Sequence, residues 1–448
     1  MPFSTNLSSH SSVKEKTKND SPSVNMNRVA TIILGGGKGT RLHPLTLSRS
    51  KPAISFGGKY RLIDIPMSNS INSGCFKIFI ITQFLSSSLH QHIYKTYRMG
   101  TFSSGFIEFL SAEEKPENKN WYSGPADAVR QNLDYFIEAP ADYFLILSGD
   151  QLYNMNFQDM MRYAKLTDAD LVIASTPINE QDAKRMGVLK IDKDQYITDF
   201  FEKPSKPNDL KKMRMNAKAK ASLGLNSSSN KEFLGSMGIY LFKRQALLKL
   251  LEIDLREDFG KHLIPSQLHL GNTATYIHKG YWEDIGTIES FYQANIALTH
   301  EHPLFNCYDE DNPIFAHQNN LPGPKIKNGS ILDSIICEGS TVESCYIQNS
   351  VLGPRTVLKQ GAVVKNSYIM GNDFYQRPVP TNRLPEDIEI GENTIIENSI
   401  IDKHVHIGKN VKLINEKKLL NYNSDDIYIK DGIIVVTRGA SIPDNYVL

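Results

Sequence analysis

Residues 32–46 read IILGGGKGTRLHPLT, and the dipeptide Lys51-Pro52 follows soon after. The apolar run from Val29 to Leu34 predicts a buried strand. This strand leads into glycines, which tolerate a positive φ and let backbone N–H groups approach an anion closely. Arg41 and Lys51 add two positive charges beside that loop. Oriented amides with two fixed cations indicate a binding site for a polyphosphate.

Two common phosphate motifs do not fit this loop. It is not a P-loop, because no Gly-Lys-Ser/Thr ends it, and it is not the dinucleotide fingerprint, because Thr40 stands where the last glycine belongs. A flexible glycine-rich turn with a surface arginine is the alternative. That alternative accounts for the glycines but poorly for the whole string.

The pattern GGGxGTRLxPLT followed by KP is similar to the signature of the sugar-nucleotide pyrophosphorylases, a family of nucleotidyltransferases, and within it to the branch that forms ADP-glucose. The resemblance runs from about Arg28 to the end of the sequence. Its further segments are YRLIDIPMSNSINSG (60–74), ITQF (81–84), NWYSGPADAVRQNL (120–133), LSGDQLYNM (147–155), FFEKP (200–204), SMGIYLF (236–242), YWEDIGT (281–287) and IIDKHVHIGKNV (400–411).

Composition excludes several classes of protein. The 448 residues suffice for two or three domains, and a net charge of +1 gives no reason to expect nucleic acid or a membrane as partner. The longest apolar runs are strand-sized. The 4 cysteines form no C-x-x-C pair, which favours a reducing compartment over a disulfide framework or a zinc site.

Residues 1–27 are rich in Ser, Asn, Lys and Thr and are expected to form a disordered tail. An apolar signal-peptide core is missing. A plastid transit peptide is disfavoured because no arginine precedes Arg28, while Glu15 and Asp20 are present. We therefore expect an untargeted tail and a cytoplasmic protein rather than a plastid one.

Residues 28–302 alternate between strand-like and helical patterns, which predicts an α/β, Rossmann-like domain with a mostly parallel sheet. The predicted strands are Val29–Leu34, Ile78–Thr82, Tyr143–Ser148, Leu171–Thr176 and Ile239–Phe242, and the predicted helices include Ala126–Glu138 and Phe157–Thr167. Ligands of such sheets bind at the carboxyl ends of the strands. The glycine loop, Gln83 and Asp150 each follow a strand end, so we expect the site there.

The remaining segments differ from this domain in composition and in the spacing of their apolar residues. Residues 205–235 predict a partly mobile surface excursion, and the proline-rich residues 303–324 predict a linker. From residue 325 to 448, aliphatic residues recur about every sixth position, which is typical of a parallel β-helix, with irregular β structure as the alternative. A polar insertion, Asn372 to Asp387, interrupts it. The resemblance implies a left-handed β-helix for oligomer packing and regulation. His404 and His406 are interpreted as surface residues.

The resemblance also implies an activity, which is transfer of the adenylyl group of ATP to glucose 1-phosphate, with Mg²⁺, to supply glycogen or starch synthesis. It implies the following roles: catalysis by Arg41, Lys51 and Asp150; nucleotide binding by Gly35, Gly36, Gly37, Gly39, Thr40, Gln83, Gly124 and Asp127; sugar-phosphate binding by Tyr122, Gly187, Glu202, Lys203 and Ser236; metal binding by Asp150 and Asp284. Little covalent chemistry is needed beyond positioning and electrostatics.

The residues themselves leave alternatives open. A strand-terminal aspartate such as Asp150 is often only a cap or a turn residue. Glu202 and Lys203 fit a solvated turn, and Tyr122 fits a plain core position. Gln83 could read the adenine edge or cap the following helix.

Two positions depart from the family pattern. Pro125 replaces the usual threonine of Gly-Thr-Ala-Asp-Ala, where a helix start tolerates proline well. Ser48 stands where bacterial members activated by fructose bisphosphate place a lysine. The activator is therefore open, and Arg49, Arg61, Lys403 and Arg438 are candidates for an anionic effector site. The family expectation is a homotetramer.

Three functions remain under consideration. The first is synthesis of ADP-glucose. The second is the same chemistry with another base or sugar, such as UDP- or dTDP-glucose or an N-acetylhexosamine. The third is a non-catalytic regulatory subunit, against which the retained Arg41 and Lys51 speak.

Overall fold

The computed structural model describes residues 23–100, 103–112, 121–226, 228–378 and 386–448. Most of the predicted tail (1–22) and part of the predicted insertion (379–385) lie outside these residues. Met26, which the composition assigned to the tail, is buried and begins a 3-10 turn, Met26–Arg28. The tail prediction was therefore wrong at this end, because a single apolar residue next to β1 finds a place in the core.

The first domain combines short strands with helices. Its strands are β1 (Val29–Leu34), β2 (Ser55–Phe56), β3 (Tyr60–Arg61), β4 (Lys77–Thr82), β5 (Phe106–Ser111), β6 (Tyr143–Ser148), β7 (Gln151–Tyr153), β8 (Leu171–Ile178), β9 (Gly187–Ile191), β10 (Ile197–Glu202), β11 (Phe233–Lys243), β12 (Thr273–Ile277) and β13 (Trp282–Asp284). Its helices are α1 (Asp64–Asn72), α2 (Ser87–Thr96), α3 (Pro125–Gln131), α4 (Leu133–Glu138), α5 (Phe157–Thr167), α6 (Glu180–Ala183), α7 (Pro207–Met213), α8 (Ala217–Ser222), α9 (Arg244–Ile253), α10 (Ile264–Leu270) and α11 (Ile288–Ala297).

The central sheet has 9 strands with a main path β10-β9-β11-β6-β1-β4-β5, and β8 joins β11 to β12. β1 lies between β4 and β6 and is parallel to both. Only β10 and β11 run against the common direction. The prediction of an α/β domain with a mostly parallel sheet is confirmed, and the loops after β1, β4 and β6 lie at one edge.

Side chains of β1 alternate between two apolar cores, as the period of a strand dictates. Val29 and Ile33 face the core that contains α5 and α11, while Ala30 and Ile32 face the core of α3, α4 and α9. The sheet is therefore covered on both faces, which explains why β1 and β4 read as uninterrupted apolar runs.

Two predicted segments need correction. The single predicted helix Ala126–Glu138 is two helices, because Asn132 leaves the helical conformation and its amide donates to Ala128 O at 2.8 Å. Residues 205–235 are not an irregular excursion throughout, since they contain the helices α7 and α8. Leu210 and Met213 of α7 pack in a small core. Helices this short and rich in lysine contain too few apolar residues to show a helical period in the sequence.

The second domain is a parallel β-helix, as predicted. Its strands are β14 (Lys325–Lys327), β15 (Ser330–Leu332), β16 (Ile335–Ile336), β17 (Thr341–Glu343), β18 (Tyr346–Gln348), β19 (Val351–Leu352), β20 (Val357–Leu358), β21 (Val363–Ile369), β22 (Gln376–Arg377), β23 (Glu386–Asp387), β24 (Ile395–Ile401), β25 (His406–Ile407), β26 (Lys412–Leu413), β27 (Asn421–Asn423), β28 (Ile427–Lys430), β29 (Ile433–Val436) and β30 (Ser441–Ile442). From β14 to β21, partners on successive turns, such as Lys327 with Glu343 and Asn349 with Asn366, are 16 or 17 residues apart. The spacing widens where segments are inserted, to 32 residues between β21 and β24 and to 35 between β24 and β29.

The β-helix packs against the first domain through a shared core. Tyr368 of β21 packs against Phe291 of α11, with 5.8 Å between ring centroids. The Tyr292 hydroxyl donates to Asn366 O at 2.6 Å. Arg49 forms a salt bridge of 2.6 Å with Asp402, and both side chains are buried. The segment that carries Arg49 and Lys51 thus contacts the β-helix directly.

His404 contradicts the interpretation as a surface residue. It is buried, its ring stacks on Phe374 at 4.3 Å, and its Nε2 lies 3.0 Å from Asp373 Oδ2. The residues that cover it belong to the polar insertion, which a repeat pattern does not place. His406 is partly exposed. None of the helices in the described ranges is both long and apolar enough to cross a membrane.

Candidate functional site

The glycine loop is held at the carboxyl end of β1. Gly35 N donates to Ile81 O on the neighbouring strand β4 at 2.8 Å. Gly39 has a φ of 61°, and a side chain there would also come within 3.1 Å of Lys51 Cβ. Thr46 Oγ1 donates to Gly39 O at 3.2 Å. The loop is therefore folded back on Lys51, and glycine is required at its bend.

Lys51 links two distant carboxylates. Its Nζ lies 2.5 Å from Asp150 Oδ2 and 3.8 Å from Asp284 Oδ1. The antiparallel pairing of β13 with β7 brings them together, since Asp284 is opposite Gln151, the residue after Asp150. Two aspartates far apart in sequence thus meet at one ammonium group.

The two carboxylates have opposite pKa shifts. Burial raises the pKa of Asp150, but Lys51, a hydrogen bond from Ser148 and the more distant Arg41 outweigh it, so the pKa lies below its usual value. Burial raises the pKa of Asp284, and Lys51 offsets this only in part while the charge of Asp150 adds to it. Asp150 therefore holds its charge to lower pH than Asp284 does.

A cavity of about 900 Å³, here called the main cavity, opens at this edge of the sheet. It brings together residues predicted for different roles. Those of the predicted site that line it are Gly36, Gly37, Gln83, Tyr122, Gly124, Asp150 and Glu202.

One end of the main cavity is built around Gln83 and Tyr122. Gln83 Nε2 donates to Tyr122 O at 3.3 Å, and no side chain among the described residues caps α2, so the alternative of a helix cap is wrong. The Tyr122 hydroxyl accepts from Asn132 at 2.9 Å, and the ring belongs to the core as well as to the cavity wall. The core interpretation of Tyr122 therefore holds, and its contact with a sugar nucleotide stays a prediction.

The start of α3 forms the next part of the wall. A side chain at Gly124 would come within 2.5 Å of Glu257 O, so the backbones approach closely there. α3 begins at Pro125, as expected for proline at a first helical position. Asp127 lies outside the main cavity lining, and its Oδ2 accepts from Ser123 N at 2.9 Å. It thereby holds a loop that does line the cavity.

Glu202 marks the other end of the cavity. A side chain at Gly187 would come within 2.8 Å of Glu202 Oε2, and one at Gly260 within 2.4 Å. Burial raises the pKa of Glu202, which the adjacent Lys203 partly offsets. Lys203 has a φ of 51°, and its half-exposed side chain lies 3.4 Å from Glu202 Oε1. Ser236 is buried behind this end, where its Oγ accepts from Gly238 N at 3.2 Å.

The remaining predicted residues do not line the main cavity. Arg41 and Asp284 line a second cavity of about 550 Å³. Gly35 is buried behind the loop and Thr40 is exposed at its end. Gly39, Lys51, Asp127, Gly187, Lys203 and Ser236 line neither cavity, so the two cavities contain only part of the predicted site.

Sequence reasoning missed several residues of the cavity wall. Phe84 and Trp121 stack with 5.5 Å between ring centroids, and Lys38 Nζ lies 5.0 Å from the Phe84 ring. Phe84 follows Gln83 and Trp121 precedes Tyr122, so the available signal was an aromatic residue next to a predicted site residue. Asp258 and Phe259 also line the cavity, and nothing in their local sequence singled them out.

The four candidate effector cations meet where the domains join. Lys403 Nζ lies 2.7 Å from Asp373 Oδ1, and Arg438 NH2 lies 3.9 Å from Asp373 Oδ2. Arg49 is paired with Asp402, and Arg61 donates to Ser88 O at 2.9 Å. The carboxylate of Asp373 therefore contacts two of the four cations, Lys403 and Arg438.

Donor chemistry limits the metals that the site could take. No group of three or more His, Cys, Asp and Glu side chains within the described ranges could hold a metal ion. Asp150 and Asp284 do offer two hard oxygen donors around one positive charge. Such a pair fits Mg²⁺, which keeps water and takes substrate phosphates as its other ligands.

Comparison with protein families agrees with this geometry. Residues 30–301 match the family model of the nucleotidyl transferases, and residues 319–447 match that of the GLGC left-handed parallel β-helix domain. These two domains in this order are the characteristic architecture of ADP-glucose pyrophosphorylases. The family expected from the glycine loop is confirmed: the chain belongs to the nucleotidyl transferases.

Proposed function

We propose that the protein transfers the adenylyl group of ATP to glucose 1-phosphate, giving ADP-glucose and pyrophosphate for glycogen or starch synthesis. The observation that carries the proposal is the junction of Lys51 with Asp150 and Asp284, at distances of 2.5 and 3.8 Å, beside the glycine loop. The two carboxylates would hold Mg²⁺, and this cation together with Lys51 and Arg41 would offset the phosphate charge, so that two anionic substrates can meet at the end of the glycine loop.

The main cavity supports a division of the substrates. The end with Gln83, the backbone of Gly36 and the stacked rings of Phe84 and Trp121 would take the adenosine, since it combines an amide with an aromatic wall. Tyr122 would pack against the bound sugar nucleotide. The end with Glu202 would take the sugar, because the mostly buried Glu202 carboxylate can accept hydrogen bonds from the sugar hydroxyls. Lys203 would bind the sugar phosphate at the same end.

The proposed reaction is a displacement at the α-phosphorus of ATP. A phosphate oxygen of glucose 1-phosphate forms the new bond, and the bond from the α-phosphorus to the bridging oxygen breaks. Arg41 and Lys51 would neutralise the triphosphate while the charge moves to the leaving group. Asp150 and Asp284 would hold Mg²⁺, which supplies further neutralisation of phosphate charge when bound. The contribution of one such charge-stabilising group is on the order of 10²–10³ in rate.

We also propose an anionic effector site and a homotetramer. Arg61, Lys403 and Arg438 near Asp373 support the former, because positive charge gathers there between the two domains. The resemblance alone supports the tetramer. Light scattering on the purified protein tests it, with an expected mass of about four times the 50.5 kDa chain.

The decisive experiment measures pyrophosphate release from each nucleoside triphosphate in turn, with Mg²⁺ and glucose 1-phosphate. A strong preference for ATP is expected. Preference for UTP or dTTP would retain the chemistry and overturn the substrate. No release from any nucleotide by the folded oligomer would contradict the proposal and favour a regulatory subunit.

A further inference from the structure

Ser148 lies in the wall of the main cavity and has no role in the proposed function. It is the last residue of β6 and is opposite Leu34, the last residue of β1. The rest of β6 is aliphatic or aromatic. The side chain of Ser148 is partly buried, and the residue lines the main cavity together with Asp150. A hydroxyl group thus lies where the central sheet meets the candidate site.

The backbone between Ser148 and Asp150 is held in place by its neighbours. Gly149 N donates to Leu34 O at 3.1 Å. A side chain at Gly149 would come within 3.1 Å of Pro52 Cγ and 3.2 Å of Leu34 O, so this turn packs closely on the residue after Lys51. The backbone does not fix the plane of the Asp150 carboxylate, because the terminal torsion of an aspartate is broad and roughly two-fold.

Two side-chain contacts fix that plane. Ser148 Oγ donates to Asp150 Oδ1, and Lys51 Nζ lies 2.5 Å from Asp150 Oδ2. Within the described ranges, these two side chains are the ones that hydrogen-bond or ion-pair with the carboxylate. Each carboxylate oxygen therefore has a donor of its own.

The two donors differ in what substrate binding does to them. In the proposed adenylyl transfer, Lys51 neutralises the triphosphate, so its charge is shared between Asp150 and the phosphates. Ser148 is neutral and belongs to a strand in the middle of the sheet, so its bond to Asp150 can persist. A contact between a serine and the second residue after it is common in turns. Here the acceptor is a carboxylate of the candidate site and not a backbone group.

We infer that Ser148 is a positioning residue, whose hydroxyl orients the Asp150 carboxylate and keeps Oδ2 on the side of Lys51 and Asp284, where Mg²⁺ would bind. The inference rests on the proposed adenylyl transfer. Ser148 acts through Asp150 and not on a substrate atom. Groups that orient metal-binding side chains contribute about 10- to 100-fold to metal affinity or activity.

The test compares Ser148→Thr with Ser148→Val, two side chains of the same shape that differ in the hydroxyl group. The probe is Mn²⁺, followed by electron paramagnetic resonance on the full chain with ADP-glucose, which cannot react without pyrophosphate. The Kd for Mn²⁺ should rise at least about tenfold in Ser148→Val and stay within about threefold of wild type in Ser148→Thr.

Ser111→Ala is the matched control. Ser111 is the last residue of β5, as Ser148 is of β6, and its Oγ lies 3.1 Å from Thr82 Oγ1. It lines neither cavity, so loss of this hydroxyl should leave the Kd for Mn²⁺ unchanged.

Kinetics separate positioning from a general structural role. The Mg²⁺ concentration that gives half the maximal rate should rise in Ser148→Val by the same factor as the Kd for Mn²⁺. The KM for glucose 1-phosphate should stay within about twofold, because the sugar end of the main cavity is unchanged. Melting temperatures of the threonine and valine variants check the fold. If Ser148→Val does not fold, Ser148→Ala takes its place and is compared with wild type.

Two results would overturn the inference. One is an equal Kd for Mn²⁺ in the threonine and valine variants, and the other is a wild-type chain that binds no Mn²⁺ with either ADP-glucose or UDP-glucose. Failure of the proposed function gives a different result. In that case the two variants still differ in Mn²⁺ binding with one of these nucleotide sugars, but ATP and glucose 1-phosphate release no pyrophosphate.

Discussion

Arg49 and Asp402 form a salt bridge of 2.6 Å that is almost completely buried, with side-chain exposures of 2% and 3%. One partner lies two residues before Lys51 and the other lies in the β-helix. Removing one member of such a pair leaves an unpaired charge in the core, whereas replacing both can be nearly neutral.

We therefore expect Asp402→Asn to lower the free energy of unfolding by about 3–5 kcal/mol. The double variant Arg49→Met with Asp402→Leu should recover most of this loss. Urea unfolding measures both. The control is Glu343→Gln, which breaks the solvent-exposed pair with Lys327 and should lower the free energy of unfolding far less than Asp402→Asn does. Equal effects of Asp402→Asn and Glu343→Gln would contradict the expectation.

Asp150→Asn should abolish synthesis and leave the fold intact. The amide cannot balance the Lys51 ammonium at 2.5 Å and is a poor ligand for Mg²⁺. We expect kcat/KM to fall by at least about 10²–10³. Asp159→Asn, an acid in α5 whose contact is with Arg162, is the control. Near-normal turnover of a soluble, assembled Asp150→Asn protein would remove Asp150 from the proposed chemistry.

Lys203→Ala should mainly raise the KM for glucose 1-phosphate. Its half-exposed ammonium would hold the sugar phosphate equally in the ground and transition states, so kcat should change little. Initial rates at varied glucose 1-phosphate measure the effect, and the exposed Lys206→Ala serves as control. An unchanged KM would remove Lys203 from the sugar site.

Asp373→Asn should strengthen anion binding between the domains. Burial acts to raise the pKa of Asp373, but His404 and Lys403 hold it below its usual value, so the carboxylate stays charged at neutral pH. It therefore competes with any bound anion for Lys403 and Arg438. We expect the Kd for inorganic phosphate to fall about five- to tenfold. Glu416→Gln, an exposed acid of the β-helix, should leave it unchanged. Weaker phosphate binding by Asp373→Asn would argue against the effector proposal.

The cysteines should react slowly in the folded protein. Burial raises the pKa of Cys75, Cys307 and Cys337 to about 12. The reactive thiolate, which increases with pH, is then scarce at pH 8 even for the half-buried Cys307. Alkylation with iodoacetamide should proceed at least about 10³ times slower than for a free thiol. Unfolding in guanidinium should expose all 4 thiols. Rapid labelling of Cys307 at pH 8 would contradict this.

Most of the fold could be predicted because its strands are apolar on both faces and follow each other through helices. β1, β6 and α5 have the predicted bounds. The break at Asn132 was not predicted, because a side-chain bond to Ala128 O accompanies it, and the same amide also donates to the Tyr122 hydroxyl. His404 was placed wrongly because its cover comes from an insertion that follows no repeat.

The candidate site could be predicted where its backbone conformation requires a particular residue type. The glycine loop is such a place, since Gly39 needs its φ of 61°. The meeting of Asp150 with Asp284 depends on the pairing of β7 with β13, which are 3 residues long each and carry no pattern.

Where no insertion intervenes, successive turns of the β-helix pair at a spacing of 16 or 17 residues, and asparagines with positive φ stand at several of its corners, among them Asn349, Asn366 and Asn410. A whole turn is therefore the unit in which such a domain can lengthen or shorten during evolution. Gain or loss of a full turn keeps the corners in register, whereas a shorter deletion shifts every later asparagine off its stack. Lineages should accordingly differ in this domain by complete turns or by loops between them.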